Sequence, residues 1–539
     1  MTILSLFGRM SYILSQCIGE CIVNASPKNP LRKFVKHRHY ATTIKLKIDS
    51  QNVVSSSLPD VSGFENIYLH DLIWEKIGRW SNRTALVCVN TGRSYTYGQL
   101  RKACGKLATS LRKCKFLPGD TIAIILPNIP EFAIIALAAN EAGLRTTLIS
   151  PAYTKYEIKR QLENVDAQAI FTFPAKYVDI KASIEKNSKI RLPIVIVNDG
   201  TDASSISGTI KLDDLMRDDI EDFSVSQKTG ISCEDIVFLP YSSGTTGMPK
   251  GIETSHRIGA KLVCLPQFSI EGFTKLLENH RCTVLHVVPP IVQIMTQNER
   301  ITSRHVESLR IILTGAAPLG ENSIAKFQSR FTNAVNFIQG YGASELSPIA
   351  TIGTADASPT SCGYLIPNTQ MRIVSTQDDT PGRNLGLREV GEIYIRGPQV
   401  MKGYYKNPKA TADSMDGDWY KTGDLGYYTE DGLLYVQGRL KELIKVKGYQ
   451  VAPIELEEVI RNYDDVQDVA VIGVAHDNYG EIPKAFVVPK SGVKINENDL
   501  KKFVAERVAK YKRLGYIQVI ESIPKTISGK ILRKELKNL

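Results

Sequence analysis

The sequence predicts a large α/β domain of parallel-type sheets with a β-rich subdomain, followed by a small α+β domain; its 539 residues allow two to four domains at roughly 100–200 residues each. Three observations predict this. Between about residues 60 and 350, near-continuous apolar runs alternate with helical patterns: TIAIILP at 121–127, AIFTF, LPIVIV at 192–197, IVFLPYS at 236–242, TVLHVVP at 283–289 and LRIILTG at 309–315. Such runs mark parallel strands covered on both faces by helices. From Met371 to Val446 the pattern shortens to strands and turns (MRIVST, GEIYIRG, GLLYVQGR). After Arg439 it becomes α+β, with helices in IELEEVIRNY and ENDLKKFVAERVAKY and strands in VQDVAVIGVA and AFVVPK. The boundaries drawn from this are a leader at 1–50, an N-terminal domain at 60–438 and a C-terminal domain at 441–539.

Hydrophobic residues at 43% and charged residues at 23% suit a globular chain and are too apolar for disorder. The net charge of +11 is uneven: residues 1–50 hold eight Lys/Arg against Glu20 and Asp49, so the body is nearly balanced and nucleic acid is not an expected partner. A basic, hydroxyl-bearing, nearly acid-free leader ending Arg38-His39-Tyr40-Ala41 suits a mitochondrial presequence, with peroxisome or cytoplasm as alternatives and a plain extension as the other reading of the segment. Nine cysteines without a CxxC pair read as reduced thiols, not as a disulfide framework or a zinc site. The most apolar stretch, Thr121 to Gly143, is interrupted by Pro127, Asn128, Pro130, Glu131 and Asn140. It therefore reads as strand, turn and helix, and no membrane span is expected.

Directly after the strand IVFLPY runs Tyr241-Ser-Ser-Gly-Thr-Thr-Gly-Met-Pro-Lys-Gly251. Its glycines free backbone N–H groups to wrap an anion, its hydroxyls (Ser242, Ser243, Thr245, Thr246) add donors, and Lys250 adds charge. It is not a Walker loop, because no Gly-Lys is followed by Ser or Thr. The string resembles the phosphate loop of the adenylate-forming superfamily: acyl-CoA synthetases, 4-coumarate:CoA ligases, beetle luciferases and peptide-synthetase adenylation domains. Four further strings agree in order: Thr314-Gly-Ala-Ala-Pro-Leu319, Gln339-Gly-Tyr-Gly-Ala-Ser-Glu345, Trp419-Tyr-Lys-Thr-Gly-Asp424 and Gly438-Arg-Leu-Lys-Glu-Leu-Ile-Lys-Val-Lys-Gly448. Ser528-Gly-Lys530 closes the series. The resemblance spans about residues 60–539 and is nearest to the 4-coumarate:CoA-ligase-like branch.

The resemblance implies ATP, Mg2+ and coenzyme A as cofactors and a fatty or aryl carboxylic acid as substrate, activated as acyl-AMP and then passed to CoA. Oligomeric state stays open. Lys530 would bridge carboxylate and α-phosphate, and Glu345 with Thr245 would hold magnesium. Ser242, Ser243, Gly244, Thr245, Thr246, Gly247 and Lys250 would hold the phosphates. Ala317, Gln339, Gly340, Tyr341 and Ser344 would lie at the adenine side, and Asp424 and Arg439 at the ribose. Lys441 would be the hinge of a mobile C-terminal domain that brings Lys447-Gly448 to the pantetheine tunnel, with Lys445 and Gln450 on the phosphate side. The chemistry brings an anion onto a polyanion, so charge neutralisation dominates. One ammonium about 4 Å from the reacting charge contributes roughly 4 kcal/mol at an effective dielectric of 20, about a thousandfold in rate.

The sequence departs from the family after Ser255-His256-Arg257, where several tens of residues containing a Pro-Phe-His motif are absent. His286 in TVLHVVPP does not replace that histidine on this reading; it is expected in the core. The loss is expected to remove part of the acyl pocket and a core element. Two competing readings follow: a catalytically silent form that binds nucleotide or acyl ligand, and a luciferase-like adenylating oxidoreductase.

Overall fold

The computed structural model describes residues 46–62, 67–184, 189–200, 206–220, 232, 235–241, 259–315, 317–376, 382–447, 449–476, 478–526 and 530–539. A six-stranded, wholly parallel sheet runs in the order Phe238–Leu239, Arg145–Leu148, Thr121–Ile125, Ala167–Thr172, Val195–Ile196, Ile210–Lys211. Every residue of Thr121–Ile125 is buried, as a central strand covered on both faces requires. The helix Pro130–Glu141 is also buried along its whole length, which explains its near-absence of polar periodicity. Its acids are paired: Glu131 accepts from Arg93 at 2.7 Å and from the Tyr95 hydroxyl at 2.8 Å, and Glu141 lies 3.2 Å from Arg101. Pro130 opens it, where a missing N–H costs nothing.

A second sheet sets Val284–Val287, Ile311–Thr314 and Asn336–Tyr341 in parallel, then adds Thr351–Ile352 and Tyr364–Leu365 antiparallel. On one face Phe327, Phe331 and Phe337 pack at ring distances of 4.8 and 5.2 Å. Among the described residues Val284–Val287 and Tyr364–Leu365 are the two outer strands of this sheet. A three-stranded sheet (Leu262–Cys264, Thr84–Cys88, Ser94–Thr96) stands beside these.

The β-rich subdomain is antiparallel throughout and is built on Gln370–Val374, Gly391–Arg396, Trp419–Tyr428 and Leu434–Arg439. It also takes in Lys47–Ile48 and Val54–Ser55. Folded structure therefore begins ahead of residue 60, within the last residues assigned to the leader; the rest of the leader lies outside the described residues. The C-terminal unit pairs Tyr449–Val451, Ile444–Val446, Gly480–Pro489 and Val466–His476 antiparallel, with Tyr516–Val519 parallel to Gly480–Pro489. The helices Pro453–Arg461 and Glu497–Ala505 cover it, burying Leu456, Ile460, Leu500 and Val504. The mixed α/β architecture is the one predicted. Among the described residues no helix is long and apolar enough to cross a membrane.

Candidate active site

In open parallel sheets, ligands meet the carboxyl ends of the strands. The glycine-rich string leaves the carboxyl end of Phe238–Leu239, with Tyr241 hydrogen-bonded to the Asn164 side chain at its root. Ser242, Ser243, Gly244, Thr245, Thr246, Gly247 and Lys250, and likewise Gly448, lie outside the described residues.

The adenine-side strings leave the carboxyl ends of Ile311–Thr314 and Asn336–Tyr341, which are neighbours in the second sheet. Ala317 is half-buried and Ser344 is exposed. Gly340 lies in the strand, and a Cβ there would stand 2.9 Å from Ile349 Cδ1. At Gly342 a Cβ would stand 2.0 Å from the Pro348 carbonyl oxygen, so backbone crowding alone demands glycine.

Gln339 differs from the sequence expectation. Its side chain is buried and turned into the fold: Oε1 accepts from Leu319 N–H at 2.9 Å, and Nε2 donates to Leu319 O at 3.0 Å and to Pro359 O at 2.7 Å. With its oxygen and both amide protons engaged, it holds the adenine-side loop from behind and presents no free polar atom to a ligand.

Asp424 is the centre of the charged group. It is buried on the strand Trp419–Tyr428, where its register partner is Arg439. Its Oδ2 accepts the Tyr341 hydroxyl at 2.8 Å, and Oδ1 lies 3.1 Å from Arg439 Nε. Burial raises its pKa; Arg439, the Tyr341 hydroxyl and the Lys530 ammonium oppose that, and Glu442 adds to it. Lys530 therefore stands close enough for its charge to act on Asp424, although 106 positions separate them. The two lobes also meet through the side chains of Asn322 and Asn462.

Glu345 is the middle residue of a short 3-10 turn, Ser344–Leu346, and its Oε1 accepts the Tyr404 hydroxyl at 3.0 Å. Tyr404 is in turn hydrogen-bonded to buried Tyr420, and desolvation pushes its pKa up to about 12, so it stays a donor. One half-buried carboxylate suits magnesium carried in by a nucleotide, since that ion keeps its waters and takes one or two carboxylates plus phosphate oxygens. Among the described residues no group of three metal-ligating side chains exists to hold a resident ion.

Lys441 is exposed in the 3-10 turn Leu440–Glu442, between the lobes. Lys445 and Lys447 are also exposed. Lys447 has a left-handed φ of 49°; its N–H donates to Tyr479 O at 2.7 Å and its ammonium sits 4.2 Å from the centre of the Tyr479 ring. Gln450 lies on the strand Tyr449–Val451.

The matches follow this geometry. The AMP-binding enzyme family matches residues 73–258 and 257–405, and its AMP-binding enzyme C-terminal domain matches residues 455–530. The chain belongs to the AMP-binding enzyme family. It is 33% identical to 4-coumarate–CoA ligase 1 of Arabidopsis thaliana over 542 positions, covering 91% of this chain and 95% of the relative. It is 32% identical to the 4-coumarate–CoA ligase of Vanilla planifolia, covering 92% and 98%. Among solved structures, the anthranilate CoA ligase AuaEII in complex with anthranoyl-AMP has a TM-score of 0.77 at 20% identity, covering 89% of this chain and 98% of that one. A benzoate CoA ligase from Burkholderia xenovorans LB400 gives 0.75 at 22%, covering 87% and 99%.

The family match breaks at 257–258, the position where the sequence departs from the pattern. The Arabidopsis alignment spans 542 positions but uses 91% of 539 residues, about 490, so about 50 positions have no residue of this chain opposite them.

His286 is the clear correction. It is exposed on an outer strand, not packed in the core. The surrounding protein still lowers its pKa to about 4 by desolvation. With its pKa lowered to about 4, the ring is neutral at pH 7. The sequence reading gave no role to Tyr404, Glu457 and Arg533, nor to Glu442, although Glu442 lies within the string Gly438–Gly448.

Proposed function

We propose that this chain is an ATP-dependent carboxylate–CoA ligase. In the first half-reaction a substrate carboxylate oxygen attacks the ATP α-phosphorus, forming acyl-AMP and releasing pyrophosphate. In the second, the CoA thiol displaces AMP and gives the thioester. The observation that carries this reading is the buried Asp424 held by Tyr341 and Arg439, with the charge of Lys530 on the other lobe reaching it. A buried carboxylate suits two ribose hydroxyls, and an ammonium suits the junction between acid and phosphate, where negative charges collide. Glu345 would hold Mg2+ with Thr245, and the ion would neutralise the departing pyrophosphate. The names of the relatives favour an aryl acid within the wider class of fatty and aryl acids. On the composition of residues 1–50 we place the protein in the mitochondrion.

Pyrophosphate release is the test. It should require ATP and a member of a panel of hydroxycinnamic, benzoic and fatty acids, and CoA should convert the product to a thioester. No release with any acid would overturn the reading.

A second reading, a silent nucleotide- or acyl-binding form, is favoured by the break in the family match at 257–258. Calorimetric ATP binding without turnover on any acid would select it.

A further inference from the structure

We propose that Arg533 is a positioning residue that ties the Lys530 hairpin to the hinge turn through Glu442 and Glu457, so that lysine and hinge move as one body. The inference rests on the role proposed for Lys530.

Lys530 sits at the end of a hairpin in which Lys525 and Ile531 form an isolated antiparallel bridge. Thr526 N–H donates to Lys530 O at 2.8 Å, and Lys530 N–H donates to Thr526 Oγ1 at 3.1 Å. These bonds fix the Lys530 backbone locally, but its side chain is exposed and no described residue of the hairpin aims it. The aim must come from how the base of the hairpin is anchored.

That base runs into the helix Arg533–Leu536, which at four residues is too short to hold itself. Leu536 is buried among Ile472, Phe486 and Ile523, a greasy anchor that fixes depth but not rotation. Arg533 supplies the directional contacts. Its Nη2 donates to Glu457 Oε1 at 2.7 Å, and its Nε lies 3.3 Å from Glu442 Oε2, an ionic contact without hydrogen-bond alignment. The guanidinium side chain is 16% exposed, Glu457 2% and Glu442 33%, so water screens this triad only weakly.

The three members come from different places. Glu457 lies on the first helix of the C-terminal unit, where it also accepts Val471 N–H at 2.9 Å and lies 3.7 Å from Arg461. Glu442 ends the 3-10 turn that contains Lys441, directly after Arg439. For holding the helix alone, Glu457 would suffice as a partner. Bringing Glu442 to the same guanidinium adds carboxylate–carboxylate repulsion, because Glu442 raises the pKa of both Glu457 and Asp424. What this second contact adds, beyond holding the helix, is a link between the lysine hairpin and the pivot.

The test uses the full-length chain and both half-reactions. Arg533→Met should slow acyl-AMP formation about 10- to 100-fold, the cost of a misplacement of about 1 Å, while changing thioester formation from supplied acyl-AMP less than about threefold. Arg533→Lys should recover most of the loss. Because Arg533→Met leaves Glu457 buried and less compensated, which works against folding, Glu442→Gln is the second variant: it should reproduce part of the adenylation loss with an unchanged melting temperature. In a Lys530→Ala background Glu442→Gln should cost nothing further. Equal loss in both half-reactions, or a fully additive loss in that background, would overturn the proposal. The same cycle read as ATP affinity by calorimetry keeps the two claims apart. If the wild type makes no acyl-AMP, the ligase reading fails, and non-additivity of Glu442→Gln with Lys530→Ala in ATP binding still supports the coupling. Additivity there, or no ATP binding at all, overturns it.

Discussion

Replacing Asp424 by asparagine keeps the side chain's size and its place on the strand but removes its charge and one acceptor. In the structure both carboxylate oxygens are occupied on one side, Oδ2 by the Tyr341 hydroxyl at 2.8 Å and Oδ1 by Arg439 at 3.1 Å. If the same oxygens take two ribose hydroxyls, each charge-assisted bond contributes about 1.5–3 kcal/mol. An amide retains one acceptor, so at least one such bond is lost, about 2 kcal/mol or a roughly 30-fold weaker ATP complex. Titration calorimetry with ATP in the absence of any acid measures this without turnover. An affinity within about twofold of wild type, with cooperative unfolding intact, would refute the assignment of Asp424 to the nucleotide.

The same variant carries a pH prediction whose sign follows from burial. Desolvation raises the Asp424 pKa above its ordinary value of 3.8, so the folded state holds this proton more tightly than the unfolded state. The stability this contributes is fully present below 3.8 and is lost as pH rises through the folded value. Asp424→Asn has no such group. Its stability relative to wild type should therefore improve as pH rises above 3.8 and through the folded value. A pH-independent difference in denaturant midpoints would rule out desolvation as the cause.

Gln339→Ala removes three buried hydrogen bonds and strands the Leu319 and Pro359 backbone groups. It should cost about 3 kcal/mol of stability by denaturant titration, whereas a surface ligand contact would cost almost none. His286→Ala should change stability by less than about 0.5 kcal/mol, since the ring is exposed; a loss of several kcal/mol would restore it to the core.

The strands were legible because apolar periodicity reports burial. TIAIILP and LRIILTG each contain the strand observed, and VQDVAVIGVA covers all of its strand but the last residue. Two-residue strands such as Lys47–Ile48 are too short to carry a period, so the start of the fold was not. Asp424, Arg439 and Lys530 are ordinary polar residues that became legible only through the strings around them; the structure pairs the first two directly and lets the charge of Lys530 reach Asp424. Gln339 lay in an equally good string, but a string does not say which way an amide turns. His286 sat in an apolar run, and the run does not show that its strand lies at the edge of its sheet among the described residues. The Arg533 triad joins positions 442, 457 and 533, a coincidence that exists only in three dimensions.

On the function proposed, the Lys530 ammonium acts in adenylation and not in thioester formation. Lys530→Ala, assayed in the two half-reactions separately, puts that assignment at risk. Pyrophosphate-releasing acyl-AMP formation should fall about a thousandfold, with thioester formation from supplied acyl-AMP kept within a few-fold of wild type. Equal losses in both, or an adenylation rate that survives the substitution, would show that the ammonium does not do this work.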